Sequence, residues 1–400
     1  MKKINTKWLG RNMLLKVAVV ALMLGVLGWL VWTLSKPLPN SNVNYLSSYG
    51  YYKARVTAIL YDDAEADDES AEGRRVGRQQ LEVEFVNGPH KGETAKVDNY
   101  LTALGNVDAK VGMTVVLRYT DYGNGNTSVL MYNYNRTGVL VGITLVFVAL
   151  LLIIGGKKGL LSLLGLIFTL ICLWFVLIPL MMRGYNMLLM TVVIVSLAAT
   201  VSLLLLNGFN GKALAAVLSC VMGVTVAGLC TWLVGIITPL NGMNMEEAER
   251  LIFNATEHGM KISGLLVCGV LISSLGAIMD VAMSIASAVY ELRELNPDLP
   301  ASRLFISGMN IGKDTMGTMS NTLILALIGS SLNTFILTQA YEIPFSQLLN
   351  TDFVVIELVQ GIAGAIGIVL TVPFVALISA HLMIRRKVPV GKSVSGKKGR

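Results

Sequence analysis

Charge is what this sequence is short of. Only 14% of its 400 residues are Asp, Glu, Lys or Arg, while 54% are hydrophobic; a water-soluble domain carries roughly 25% charged residues. That imbalance excludes an ordinary soluble fold. Histidine is scarce: His90, His258 and His381 are scattered, so no histidine-based metal site is proposed, the metal is left unassigned and no cofactor is expected. Four cysteines, Cys172, Cys220, Cys230 and Cys268, all fall in apolar runs. They form neither a disulfide framework nor a CxxC pair, and helix packing is their expected role. Phosphate-cradling GxxxxGKS/T, the GxSxG elbow and HExxH are all missing, and enzymatic activity is not expected. The net charge of +7 does not point to nucleic acid, because most of the excess sits at the two ends of the chain.

What the sequence has is long apolar runs. Eight, at about 13–34, 138–154, 160–182, 187–206, 213–238, 262–289, 315–338 and 353–382, approach or exceed the ~20 residues that cross a hydrocarbon core. The first follows Lys2, Lys3, Lys7 and Arg11 and lacks a small-residue cleavage site, so it reads as an uncleaved anchor. With the N-terminus inside, 18 Lys and Arg fall in cytoplasmic stretches and 3 in the short outer loops. Both termini are therefore expected in the cytoplasm of a plasma-membrane protein.

The polar segment 36–137 is then extracellular. Tyr52–Leu60, Gln80–Val86 and Thr114–Tyr119 alternate as strands, and Thr94–Val97 and Ser128–Tyr132 add shorter ones. Asn87-Gly-Pro-His-Lys-Gly92 supplies turn chemistry. Five short strands predict a small closed barrel of the OB or SH3-like kind. The acidic stretch Asp62–Ser70 reads as a solvated hairpin tip. The expected architecture is mostly α: a polytopic transmembrane bundle of about eight spans with an all-β domain between spans one and two. Its parts are an anchor at 1–35, the β domain at 36–137, a seven-span bundle at 138–384 and a basic tail at 385–400. A surface helix is expected from Asn244.

One residue stands out against this background. Asp280 lies deep within span six, where an Asp costs about 2.5–3.5 kcal/mol on insertion scales. Ser273, Gly276, Asp280, Ser284 and Ser287 share one helical face, and Leu271, Ile278, Val281 and Ile285 lie opposite. On span seven Asp314, Thr318, Asn321 and Thr322 share a face, and Asp280 and Asn321 are expected at similar depth. Serine and glycine at such spacing also serve plain helix packing, and Asp280 could instead form a structural pair with Lys313. Lys313 and Asp314 are expected at the cytoplasmic mouth of span seven, with Gly312 and Gly317 permitting a broken or re-entrant start. Glu357 and Gln360 fall near the outer end of span eight. Asn207–Lys212 and Gly308–Lys313 look alike and are both expected as loops before outward-running helices.

Ser274-Leu-Gly-Ala-Ile-Met-Asp-Val-Ala-Met-Ser-Ile285 and Gly312-Lys-Asp-Thr-Met-Gly-Thr-Met-Ser-Asn-Thr-Leu-Ile-Leu-Ala326 resemble the YibE/F family of bacterial multi-pass membrane proteins. Leu180–Asn186, Asn207–Lys212 and Gly88–Gly92 extend the likeness. The anchor and β domain match the longer, YibE-like members, and the resemblance implies a shorter YibF-like subunit as a possible partner. It implies no activity. From the residues, the leading expectation is a transporter or transporter subunit. Asp280, Ser284, Ser273, Asp314, Thr318, Asn321 and Lys313 would form a polar site for a small ion or solute between spans six and seven. The alternative is a non-catalytic envelope scaffold or sensor whose β domain binds a partner or wall component. The lipid bilayer is a partner in both, and a homo-oligomer is the alternative assembly.

Overall fold

The computed structural model describes residues 49–67, 73–102, 105–122, 126–240 and 262–385, with isolated positions in 25–36 and 243–260. They cluster into two units that divide between Leu150 and Leu151, the described positions of 25–36 joining the second. The surface helix expected from Asn244 and most of the first span lie outside the described residues.

In the first unit, alternation builds an antiparallel sheet. The strands are β1 (Tyr49–Asp62), β2 (Glu65–Ala66), β3 (Arg75–Phe85), β4 (Thr94–Leu101), β5 (Thr114–Asp121) and β6 (Thr127–Tyr134). They pair in the order β4-β3-β1-β5-β6, with β2 also on β3. Ala54, Val56, Leu81, Val83, Phe85, Val115 and Leu117 turn inward to one core. The five expected strands are present, but the sheet is a half-barrel rather than a closed one. No ladder joins β4 to β6. Instead the segment 107–109 is held by side chains: Asn99 Nδ2 donates to Val107 O (2.8 Å), Asp108 N to Tyr134 Oη (2.9 Å) and Ala109 N to the buried Gln79 Oε1 (3.1 Å). Val107 and Ala109 complete the core.

Of the acidic stretch expected as a solvated tip, residues 68–70 lie outside the described residues; Asp62, Asp63 and Glu65 are exposed, while arginines on β3 and just before it meet Asp62 and Asp67. Arg75 reaches Asp62 at 2.7 Å and Asp108 at 3.0 Å, and Arg74 pairs with Asp67. The hydrogen bond from the Gln79 amide, and then Arg75, hold the Asp62 carboxyl below its ordinary 3.8 against the opposing effect of burial. A carboxylate with a depressed folded-state pKa stabilises the fold above its unfolded value, and that contribution is lost as pH falls through the folded value.

The second unit is helical. The expected runs 138–154 and 160–182 are two helices within the stretch α1 (Thr137–Met182), meeting at a kink at Gly156 (φ 52°, ψ −130°) so sharp that a Cβ on Gly159 would stand 2.1 Å from Leu151 O. Only glycine adopts that backbone without strain. Then come α2 (Met187–Asn207), α3 (Gly211–Ile237), α4 (Leu265–Leu295), α5 (Ala301–Ser330), α6 (Leu332–Ala340) and α7 (Asp352–Arg385). Asn186 and Asn210 cap α2 and α3, accepting from Leu189 N and Ala213 N. Among the described residues, five helices are long and apolar enough to cross a membrane, or six if α5 and α6, bent by 61°, count together. Counting the helices on either side of Gly156 separately gives seven, and the first of the eight expected runs lies mostly outside the described residues.

Two expectations on span seven are overturned. The helix begins at Ala301, behind Pro300 in an extended conformation (φ −70°, ψ 157°), and not near residue 315. Lys313 and Asp314 thus lie more than three turns inside α5. The break falls at Ser330–Ser331, while Gly312 is in regular helix because its missing side chain makes room for Val372 and Ile285. Gly308–Lys313 is likewise helical, unlike the loop and cap at Asn207–Lys212, so their likeness marks no shared structure.

Glycines set how closely these helices approach. A Cβ on Gly223 of α3 would stand 1.9 Å from Thr371 Oγ1 of α7, and one on Gly367 of α7 would stand 2.6 Å from Ala227 Cβ. Leu271 and Ile278 of α4 meet Gly228 and Gly223 in reverse order, so α3 runs against both α4 and α7. Gly308 and Gly312 of α5 meet Val289 and Ile285 of α4, which makes that pair antiparallel too. Ile278, Val281, Ile285, Ile368 and Val372 fill the centre.

Replacing Gly223 with Val should destabilise the bundle by about 1–3 kcal/mol through overpacking, read as a lowered unfolding temperature of the purified protein. Gly329→Ala, with nothing within 4 Å of its Cβ, should stay within about 0.5 kcal/mol of wild type; equal effects would refute the packing argument. In the β unit, the protection of β1 and β3 amides relative to their intrinsic exchange rates in the full-length protein should fall as the pH drops from about 5 to 3. Asp62→Asn should flatten that dependence, and an unchanged pH profile would count against the assignment.

Candidate functional site

The pattern that singled out Asp280 also decides which way it points. Leu271, Ser274, Ile278, Val281, Ile285 and Val289 are buried along α4. The opposite face therefore looks out: Gly276, Asp280 and Ser284 are exposed, and Ser273 and Ser287 half-buried. On α5 the inward face is Leu304, Gly308, Gly312 and Leu323. Outward lie Asn310, Lys313, Asp314, Gly317, Thr318, Asn321 and Thr322, all exposed. Two neighbouring antiparallel helices thus turn polar faces away from the core they share.

Three contacts fix their register. Gly308 meets Val289, Gly312 meets Ile285, and Leu323 and Ser274 both line the place of a Gly364 Cβ. Each pair keeps the same numerical relation across the antiparallel helices, which sets Asp280 level with Gly317, Ser284 with Lys313 and Gly276 with Asn321. Asn321 is therefore about one turn, roughly 6 Å, from the height of Asp280, not level with it as the apolar run lengths implied. The run lengths misplaced the start of α5 and with it the helix centre.

The hydroxyls are largely occupied by their own helices. Ser273 Oγ donates to Val270 O (3.2 Å), Thr318 Oγ1 to Thr315 O (2.9 Å) and Thr322 Oγ1 to Thr318 O (2.8 Å). Such back-bonding satisfies a hydroxyl without a partner helix. The side chains of Asp280, Ser284, Lys313, Asp314 and Asn321 make no hydrogen bond or ion pair among the described residues. The pairing of Asp280 with Lys313 is absent. The structure brings the seven expected site residues onto adjoining helices without joining them to one another. Gly317, expected as part of a broken helix start, shares the face, and so does Asn310, which was not singled out in sequence; once α5 is known to start at Ala301, its helical spacing reveals it.

Elsewhere, Glu357 of α7 is half-buried and its Oε2 has no partner among the described residues, while Gln360 is buried beside Gly269. No group of three His, Cys, Asp or Glu comes together as a metal site among the described residues.

Apolar helices of membrane-crossing length, two of them with exposed polar faces, point to a helical membrane protein. The profile of the family described as YibE/F-like protein matches residues 143–385, and the chain belongs to that family. Comparisons with curated proteins and with solved structures give no match.

Because Asp280 has no partner among the described residues, Asp280→Asn should change unfolding stability by no more than about 0.5 kcal/mol. Ile278→Asn, at a fully buried position, should cost roughly 3 kcal/mol or more through lost packing and a buried amide. Thermal unfolding in detergent measures both; a large loss in Asp280→Asn would reveal a structural pair.

Proposed function

We propose that this protein is a plasma-membrane transporter or transporter subunit, without enzymatic activity, that moves a cation or a proton-coupled solute. The observation that carries this reading is Asp280, at mid-length of a 31-residue apolar helix, exposed and without a partner among the described residues beside the polar face of α5. Lipid does not solvate such a side chain, so water, an ion or protein must meet it. Asp280 is the charge carrier, and Ser284, Thr318, Asp314 and Asn321 are the polar groups on the path beside it. Lys313 sets the positive limit of that path, and Ser273 lies toward its other end. Both termini are cytoplasmic in this reading and residues 36–137 are extracellular, in accord with the charge bias of the loops.

A second reading rests on the β unit. Tyr51 and Tyr132 are exposed with rings 4.6 Å apart, and Tyr49 stands 5.8 Å from Tyr51. Such a row offers stacking surface to a partner or wall component, as an envelope scaffold would need.

The test is charge movement in proteoliposomes, recorded on solid-supported membranes across a panel of ions, pH jumps and metabolites. A current present in wild type and abolished by Asp280→Asn is the expected result. A current that Asp280→Asn leaves intact would remove Asp280 from the mechanism. Silence across the panel, with function in cells lost on deleting residues 40–135, would favour the scaffold.

A further inference from the structure

We infer that the outward face of α5 is a two-fold interface between two copies of this chain. The inference concerns the same polar face as the transport reading, but it needs only that the helices cross a bilayer. Asn310, Asp314, Gly317, Asn321, Leu325 and Ile328 follow one another at steps of four, three, four, four and three, and all are exposed. That is the spacing of a seam between two helices crossing at about 20°. Its upper half is unfit for lipid, since each charged group at mid-membrane costs about 2.5–3.5 kcal/mol on insertion scales. Its lower half, Leu325 and Ile328, is apolar. A Cβ on Gly317, at the middle, would meet nothing within 4 Å, so another backbone has room to approach closely there.

Charge selects a second copy as the occupant. Lys313 and Asp314 are consecutive, hence about 100° apart around α5, and they straddle the seam. A two-fold axis parallel to the helices sets one flank of α5 beside the opposite flank of its mate, at equal height. Lys313 of each copy then faces Asp314 of the other, with Asp280 of the other copy about one turn away, on the helix beside it. The two ion pairs are reciprocal, and each supplies what the chain lacks among its own described residues. Asn321 meets its own equivalent near the axis, where paired amides bond across a helix seam.

The experiment is disulfide cross-linking in native membranes of cells expressing two differently tagged copies. Asn321→Cys and Leu325→Cys on the seam are compared with Leu377→Cys, exposed on α7. The seam variants should give a species of twice the 43.1 kDa chain mass that carries both tags, and Leu377→Cys should not. In the Asn321→Cys background, Lys313→Asp should cut the yield about tenfold, equivalent to 1.4 kcal/mol, and adding Asp314→Lys should restore it. If the charge variants fail to fold, the seam variants with native charges still decide, together with native mass spectrometry of the wild type. Seam cysteines that never link two copies, or that link only a different protein such as a shorter family member, would overturn the inference. A confirmed dimer without measurable currents would leave it standing and count against transport alone.

Discussion

Close backbone approach among α3, α4, α5 and α7 is the constraint on which the rest of this structure depends. Gly223, Gly312, Gly364 and Gly367 each stand where a single added carbon would collide with a neighbouring helix. Close packing of that kind uses up the apolar faces of α4 and α5 in the centre of the bundle, leaving their Ser-, Thr-, Asn- and Asp-bearing faces outside. The location of Asp280 is thus a result of packing at Ile278, Val281 and Ile285 on the far side of the same helix.

That arrangement inverts what an isolated membrane bundle needs. With hydrocarbon as solvent, helices associate through van der Waals contact and small residues, and polar groups are turned toward protein or water. Here the Asp, Lys and Asn side chains of α4 and α5 face out, while buried hydroxyls such as Ser219, Ser274 and Thr371 bond back to their own helices. A wetted path and an interface between copies are the two physical answers to such a surface, and they are compatible. Two polar faces brought together around glycine leave space between them, and charges that balance across a symmetry axis still allow an ion to enter and leave.

Much of this was legible in sequence, and the failures have physical causes. The strands of the β unit followed from alternation, and α2, α3, α4 and α7 from apolar length. The stripe from Ser273 to Ser287 was correctly read as one face opposed by Leu271, Ile278, Val281 and Ile285. Whether it looked inward or outward was not legible, since periodicity gives the faces of a helix without saying which one its neighbours cover. Apolar run length misplaced the start of α5 because the turns before residue 315 are polar on one side only, with Leu304 and Gly308 buried on the other. The turn signal Asn296-Pro-Asp-Leu-Pro300 marked the true boundary. Barrel closure failed for a similar reason: nothing in strand alternation foretells that the segment 107–109 will be held across the gap by Asn99, Gln79 and Tyr134.

The far end of α1 carries a feature of another kind. Over Cys172–Leu177 the helix widens into a π turn, where Ile178 N donates to Leu173 O, just ahead of Pro179. A π turn holds one more residue than regular helix, so it shifts the angular phase of everything beyond it. Before it, Gly165 packs against Ser202 of α2; beyond it, the Arg183 guanidinium donates to Leu34 O and Lys36 O at 3.0 Å each. Tightened to regular helix, the segment would turn Arg183 by about 100° and carry it off those carbonyls. The wide turn works as a phase corrector that lets the two ends of one rod each meet a different neighbour.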